Sequence, residues 1–148
     1  MLFAFSEAPI YTTFVCLPRT DSPIPGHIAD NSKFFLYFKD AISAINGTHI
    51  TCMPLASQRD LMHNRKGFLS QNCLIACSFN GIITYVLGGW EGSAADATVY
   101  HHARLSDLAI PEGRYYLADA GFPLTPQLLV PYHGQRYHLA EWGWAHLL

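Results

Sequence analysis

A single mixed α/β domain is what the sequence predicts, and three observations carry that expectation. Three β-rich runs lie close together between residues 41 and 87, the last two joined by Asn80-Gly81. Asn-Gly between apolar runs is the strongest short hairpin signal, because both residues tolerate positive φ. A helical stretch opens at Ser93-Ala94-Ala95-Asp96 and reaches about Leu105, and two short apolar runs follow it, Tyr115–Ala118 and Leu128–Val130. That order lets the first three strands pair antiparallel, with a crossover helix before the fourth. At 148 residues the chain is one domain by the usual ~100–200-residue range and can bury a core without staples.

Each element has its own local reason. Four of the nine prolines are Pro9, Pro18, Pro23 and Pro25. Proline fixes φ and removes a donor, so residues 1–30 are expected to form an extended arm, with the domain proper over 31–148. Phe34, Phe35, Leu36 and Phe38, between Lys33 and Lys39, predict one or two helical turns. Ala41 to Met53 is strand-like, with Ile42, Ile45 and Ile50 around Asn46-Gly47-Thr48. Asn64-Arg65-Lys66-Gly67 forms a polar, basic loop. Asn72–Phe79 and Ile82–Leu87 are the hairpin strands, and Gly88-Gly89 is expected to end the second of them. Pro111-Glu112-Gly113 is a turn, after which the fourth strand ends on Asp119 and Gly121.

Composition narrows the function. Nine basic against eleven acidic residues give a formal charge of −2, and charged residues make up only 14% against 50% apolar. An average soluble domain carries ~25% charged residues. This surface therefore points to a partner or a missing piece, and the balance excludes a disordered chain, a coiled coil, and a DNA binder working through bulk charge alone. Cysteines at 16, 52, 73 and 77 contain no Cys-x-x-Cys pair, so neither a zinc ribbon nor a redox motif fits. Reduced, buried thiols are expected, with Cys73 and Cys77 on one sheet face. Glu7 and Pro9 interrupt the apolar Met1–Phe5 start with no basic residue before it, so neither a signal peptide nor a membrane span is expected. A nuclear or cytoplasmic location follows.

Several residues could carry chemistry. Asp119, at the carboxyl edge of a strand, would point into the ligand crevice of an open α/β sheet and offer oxygen to Mg²⁺ or Mn²⁺. As a turn aspartate it would instead accept backbone hydrogen bonds. Asn46 occupies the matching place in the first strand, where its carbonyl oxygen adds no charge against a cation. Asp96, three residues after Ser93, fits a capping-box variant, and otherwise aims a carboxylate at a metal from the helix start. The histidines, especially His133 and His138 with Glu141 or the pair His101-His102, have no established zinc spacing. Arg65, Lys66 and Arg136 could meet phosphates, or form a solvated surface.

Together these blocks resemble the nuclease domain of Harbinger-type DDE transposases, with wording closest to fungal members. The resemblance lies in Asn46-Gly47-Thr48-His49-Ile50, Asn64-Arg65-Lys66-Gly67, Tyr85 through Ser93 with Asp96, and Tyr116 through Pro123, extended by Pro131 through Leu139. They come in the family's order over roughly residues 31–142. The resemblance implies an RNase H-like fold, a mixed sheet flanked by helices, here incomplete at the C-terminus. It also implies a DDE triad that binds divalent cations for phosphodiester hydrolysis and strand transfer on DNA. Carried over, the first acid falls on Asn46, the second on Asp119, and the helix-start aspartate on Asp96. The third acid would lie beyond Leu148, and Glu141 is not that residue. The domain is thus expected to be transposase-derived and catalytically impaired. The alternative is a domesticated module that binds DNA or protein without cutting, or a fragment without function.

Overall fold

The computed structural model of the chain describes residues 10–132 and 134. Alternation along the first β-rich run produces β1 (Ala41–Thr51), whose inner residues Ser43 and Ile45 are buried while Asn46 and Thr48 are exposed. It pairs antiparallel with β2 (Ser70–Cys77), which pairs antiparallel with β3 (Ile83–Glu91). On its other edge β1 pairs parallel with β4 (Tyr115–Leu117), which pairs parallel with β5 (Leu128–Leu129). The sheet order is β3-β2-β1-β4-β5. This five-strand mixed sheet flanked by helices is compatible with an RNase H-like fold, as the resemblance implied.

Among the described residues, five α-helices accompany it: α1 (Ile10–Phe14), α2 (Gly26–Ala29), α3 (Ser32–Phe38), α4 (Arg59–Met62) and the crossover helix α5 (Asp96–Ser106). Within the described part of residues 1–30, the short helices α1 and α2 flank a stretch without helix or strand over residues 15–25. Pro25 stands just before α2, the side on which a missing N–H costs a helix nothing. Ile28 is buried and Leu17 packs against the core, so this region is tied to the domain.

The hairpin differs from expectation in two places, both for backbone reasons. Gly81 alone takes positive φ (80°) in the turn, and no non-glycine residue among those described does so. Ser78 N–H donates to Ile82 O and Gly81 N–H to Ser78 O, the longer hairpin loop in which a single left-handed residue suffices. Nor does Gly88-Gly89 end β3. Asn72 pairs with Trp90 and Leu74 with Leu87, so β3 carries one extra residue there. Gly89, at φ 88°, lets the strand bulge and continue to Glu91.

The two sheet faces have unequal cover. One carries Leu74, Ala76, Tyr85, Tyr116 and Leu128, and packs with Val99, Tyr100 and Ala103 of α5 into the core. Tyr85 Oη donates to Asp107 Oδ1 at 2.6 Å, fixing the end of α5 to β3. The other face, among the described residues, leaves Ile50, Ile83, Val86 and Leu129 exposed around Asn46 and Thr48. Cys73 and Cys77 do share that face, opposite Thr48 and Ala44. All four cysteines are free, but only Cys73 is buried. Cys52 and Cys77 are half-buried, and Cys16, whose Sγ lies 3.0 Å from Thr12 O, is exposed.

Burial pushes the Tyr116 hydroxyl up to about 12, and Tyr85 is raised as well, by burial and then by Asp107. A raised folded-state value means stability is intact below pH 10 and is lost as pH climbs through the folded value. A shift of about two units corresponds to roughly 3 kcal/mol for Tyr116. Urea unfolding of the parent should therefore weaken between pH 10 and 12, and Tyr116→Phe should weaken less over that interval. Parallel losses in the two proteins would refute the assignment.

Candidate active site

Three segments converge just past the carboxyl end of β4, beside the middle of β1. Ala44 pairs with Leu117 in the parallel ladder, so two residues further on Asn46 and Asp119 stand level, and both line an open groove of about 600 Å³ on the exposed face. Asp119 is exposed and lies two residues beyond the end of β4. Its Oδ1 accepts from Gly121 N–H at 2.8 Å, an Asx-turn that orients the carboxylate while leaving its second oxygen for a ligand.

Asp96 approaches from the opposite side of β1. A Cβ on Gly47 would stand 2.0 Å from Asp96 Oδ1, so the carboxylate occupies the space that glycine leaves. A Cβ on Gly121 would stand 3.0 Å from Asp119 Oδ1 and 3.5 Å from Asp96 Oδ2. Two carboxylates thus flank one point, with only hydrogen on the glycine between them. The capping box expected at Ser93 and Asp96 does not form. Ala95 is the cap residue and makes no side-chain cap hydrogen bond. Instead Asp96 Oδ1 accepts from Asn72 Nδ2 at 2.8 Å, and the same amide donates to Ala94 O. A long-range partner on β2 outcompetes the local cap.

Asn72, 1% exposed at the centre of β2, is the residue that sequence reading missed. Its signal was a polar residue at an inward position of the strand, since Ser70, Leu74 and Ala76 share its face. Arg65 and Lys66 stand apart from the carboxylates' groove. They line a second cavity of about 300 Å³ with His49 and Ser93, whose wall includes Asp96. His101 and His102 are exposed on α5, and His102 meets the Trp90 ring edge-on at 5.1 Å. Arg136, His133, His138 and Glu141 lie outside the described residues.

Divalent cations take oxygen ligands, and two carboxylates match one such ion's charge. Asp96 and Asp119 fit that demand. A second ion would need further negative charge, and the neutral Asn46 supplies none. Among the described residues no three metal-ligating side chains converge, and Asp96 and Asp119 are the two carboxylates that share the point beside Gly121.

Residues 45–142 match the family described as DDE superfamily endonuclease. The chain belongs to that family. The matched span contains Asn46, Asp96 and Asp119, and the superfamily is generally dependent on divalent metal. The DDE endonuclease domain is 33% identical over 96 residues to HARBI1, a candidate nuclease, of Rattus norvegicus, covering 62% of this chain and 27% of the rat protein. The Mus musculus protein of the same name is 35% identical over 71 residues, covering 46% of this chain and 20% of its own length. For the Homo sapiens protein the values are 34% over 73 residues, 47% and 21%. The chain spans about a quarter of the length of the curated relatives it matches. No solved structure matches it. Among the described residues no helix is long and apolar enough to cross a membrane.

Proposed function

We propose that this chain is a transposase-derived, Harbinger-type DDE nuclease domain that holds one divalent cation between Asp96 and Asp119 and acts weakly on DNA phosphodiesters. The observation that carries the reading is the approach of both carboxylates to the side-chain position of Gly121. When bound, the cation supplies Lewis-acid charge to a phosphoryl oxygen. Asp119 orients itself through Gly121 N–H, Asp96 is held by Asn72, and Asn46 offers the groove a neutral carbonyl. Catalysis is impaired at residue 46, because two-metal hydrolysis clamps both the attacking and the leaving oxygen and the second cation has no carboxylate to hold it there. Mg²⁺ and Mn²⁺ both suit the oxygen donors. Exposed Ile50, Ile83 and Val86 on the open face favour self-association, and the domain would work in the nucleus or cytoplasm.

Calorimetric titration of Mn²⁺, together with nicking of supercoiled plasmid, tests the proposal. The parent should bind one equivalent and nick slowly. Asp119→Asn should lose at least about tenfold in affinity, since even indirect partners of a metal ligand are worth 10–100-fold, and should not nick above background. Binding without nicking would favour a non-catalytic module. Equal Mn²⁺ affinity in parent and variant would overturn the site.

A further inference from the structure

The 300 Å³ cavity on the far side of Asp96 is lined by Arg65 and Lys66 as well as His49 and Ser93. Asn64 organises its rim. Its Oδ1 accepts from Lys66 N–H at 3.0 Å and Phe68 N–H at 3.1 Å, and its own N–H donates to Phe68 O. That pins the Arg65-Lys66-Gly67 turn, whose exposed Arg65 and Lys66 line the cavity. The chain of contacts continues inward. Asn64 Nδ2 donates to Ser70 Oγ at 3.1 Å, and Ser70 Oγ lies 3.1 Å from His49 Nδ1. His49, on β1, also lines the cavity, so a hydrogen-bonded relay from loop to strand fixes its ring. Gly92 closes the floor, where a Cβ would meet Met62 O at 2.3 Å and Ser70 O at 2.5 Å. Ser93 follows it on the same wall, just ahead of the N-terminus of the eleven-residue α5. Among the described residues neither Arg65 nor Lys66 has an ion-pair partner.

Arg65, Lys66, His49 and Ser93 therefore line one open space beside a carboxylate. Arg and Lys in such a place recognise phosphate oxygens, Arg by its fork and Lys as a point charge. The lone acid on the wall, Asp96, is the one assigned to a cation. Its Oδ1 is already engaged by Asn72 Nδ2 at 2.8 Å.

We infer that this cavity seats a backbone phosphate of the DNA strand, next to the phosphate over Asp96 and Asp119, and so sets the strand's register on the site. The inference rests on the nuclease reading for the identity of the strand, but not on metal or cleavage. Arg65 and Lys66 bind the phosphate; Asn64 and Ser70 are positioning residues.

The test is fluorescence anisotropy of a labelled short DNA duplex with the full chain in EDTA, titrated with salt. Metal and cutting are absent, so failure here is separable from failure of the Mn²⁺ titration. Each phosphate neutralised adds about −0.9 to the slope of log K against log[salt]. Arg65→Ala/Lys66→Ala should bind several-fold more weakly at low salt, with a slope shallower by about one. The charge-matched Lys33→Ala/Lys39→Ala variant, altered around α3, should stay near the parent. Asn64→Ala, which keeps both cations but frees the turn, should bind more weakly with its slope unchanged. No DNA binding by the parent, equal slopes in parent and Arg65/Lys66 variant, or equal losses in the charge-matched control would each overturn the inference.

Discussion

Asn46→Asp should bind Mn²⁺ on the order of tenfold or more tightly than the parent chain. The side chain of residue 46 lines the same groove as Asp119 and stands level with it across the β1–β4 ladder. The substitution changes one amide to a carboxylate of nearly the same shape, at an exposed position, so the fold has little to accommodate. A unit charge about 4 Å from another is worth ~1 kcal/mol in water, and against a divalent ion about twice that. Each ~1.4 kcal/mol is a factor of ten in affinity, so even full solvent screening leaves a measurable gain. Asp119 would then be flanked by Asp96 on one side and by the new carboxylate on β1 on the other. Calorimetry should show either the higher affinity or a second equivalent of metal. Nicking should rise with it, while remaining slow, because the third acid of the triad is not among the residues that converge. Unchanged Mn²⁺ affinity would mean that residue 46 does not face the cation, and the impairment assigned to Asn46 would have to be withdrawn.

How much of this arrangement could be read from the residues depends on the range over which each is determined. The five strands were legible because alternation and the Asn80-Gly81 turn are local signals, whereas the sheet order rests on the parallel pairing of β1 with β4. The turns of α1, α2 and α4 were not. Helices of four or five residues are too short to show a 3.6-residue period or to be stable alone, and tertiary contacts such as that of buried Ile28 decide them. The bulge at Gly88-Gly89 was invisible for the opposite reason, since paired glycines ordinarily end a strand and only the pairing with β2 shows that the strand goes on. At the site, Asp119 was legible from its place after a strand. Asp96 was ambiguous, because a Ser-x-x-Asp spacing describes a cap as well as a ligand. What resolves it is Asn72, twenty-four residues away in sequence, together with the missing side chain at Gly47. Neither carries a periodic signal, and both act through contacts that only the folded sheet creates.

Gly47→Ala is the substitution with the largest expected cost to the fold. The new methyl would lie 2.0 Å from Asp96 Oδ1, 2.5 Å from Cγ and 3.0 Å from Oδ2, so the entire carboxylate has to leave. An aspartate has only two side-chain torsions, and this one is held by Asn72 Nδ2 at 2.8 Å. Displacing it takes a charged acceptor from a buried amide whose own Oδ1 already has no partner among the described residues. Loss of a hydrogen bond to a charged group costs about 1.5–3 kcal/mol, before any strain in β1. Metal affinity should fall at the same time, because Asp96 moves off Gly121, whereas Asn46, on the opposite face, is untouched. A double-mutant cycle separates the steric effect from any general intolerance of alanine in the strand. Asp96→Ala alone should destabilise, and adding Gly47→Ala to it should cost far less than Gly47→Ala costs in the parent, with a coupling within the roughly 0.5–3 kcal/mol found for residues in contact. Urea unfolding of the four proteins measures it. Additive losses would place the Asp96 carboxylate somewhere other than over Gly47, and with it would go the convergence on which the metal site is built.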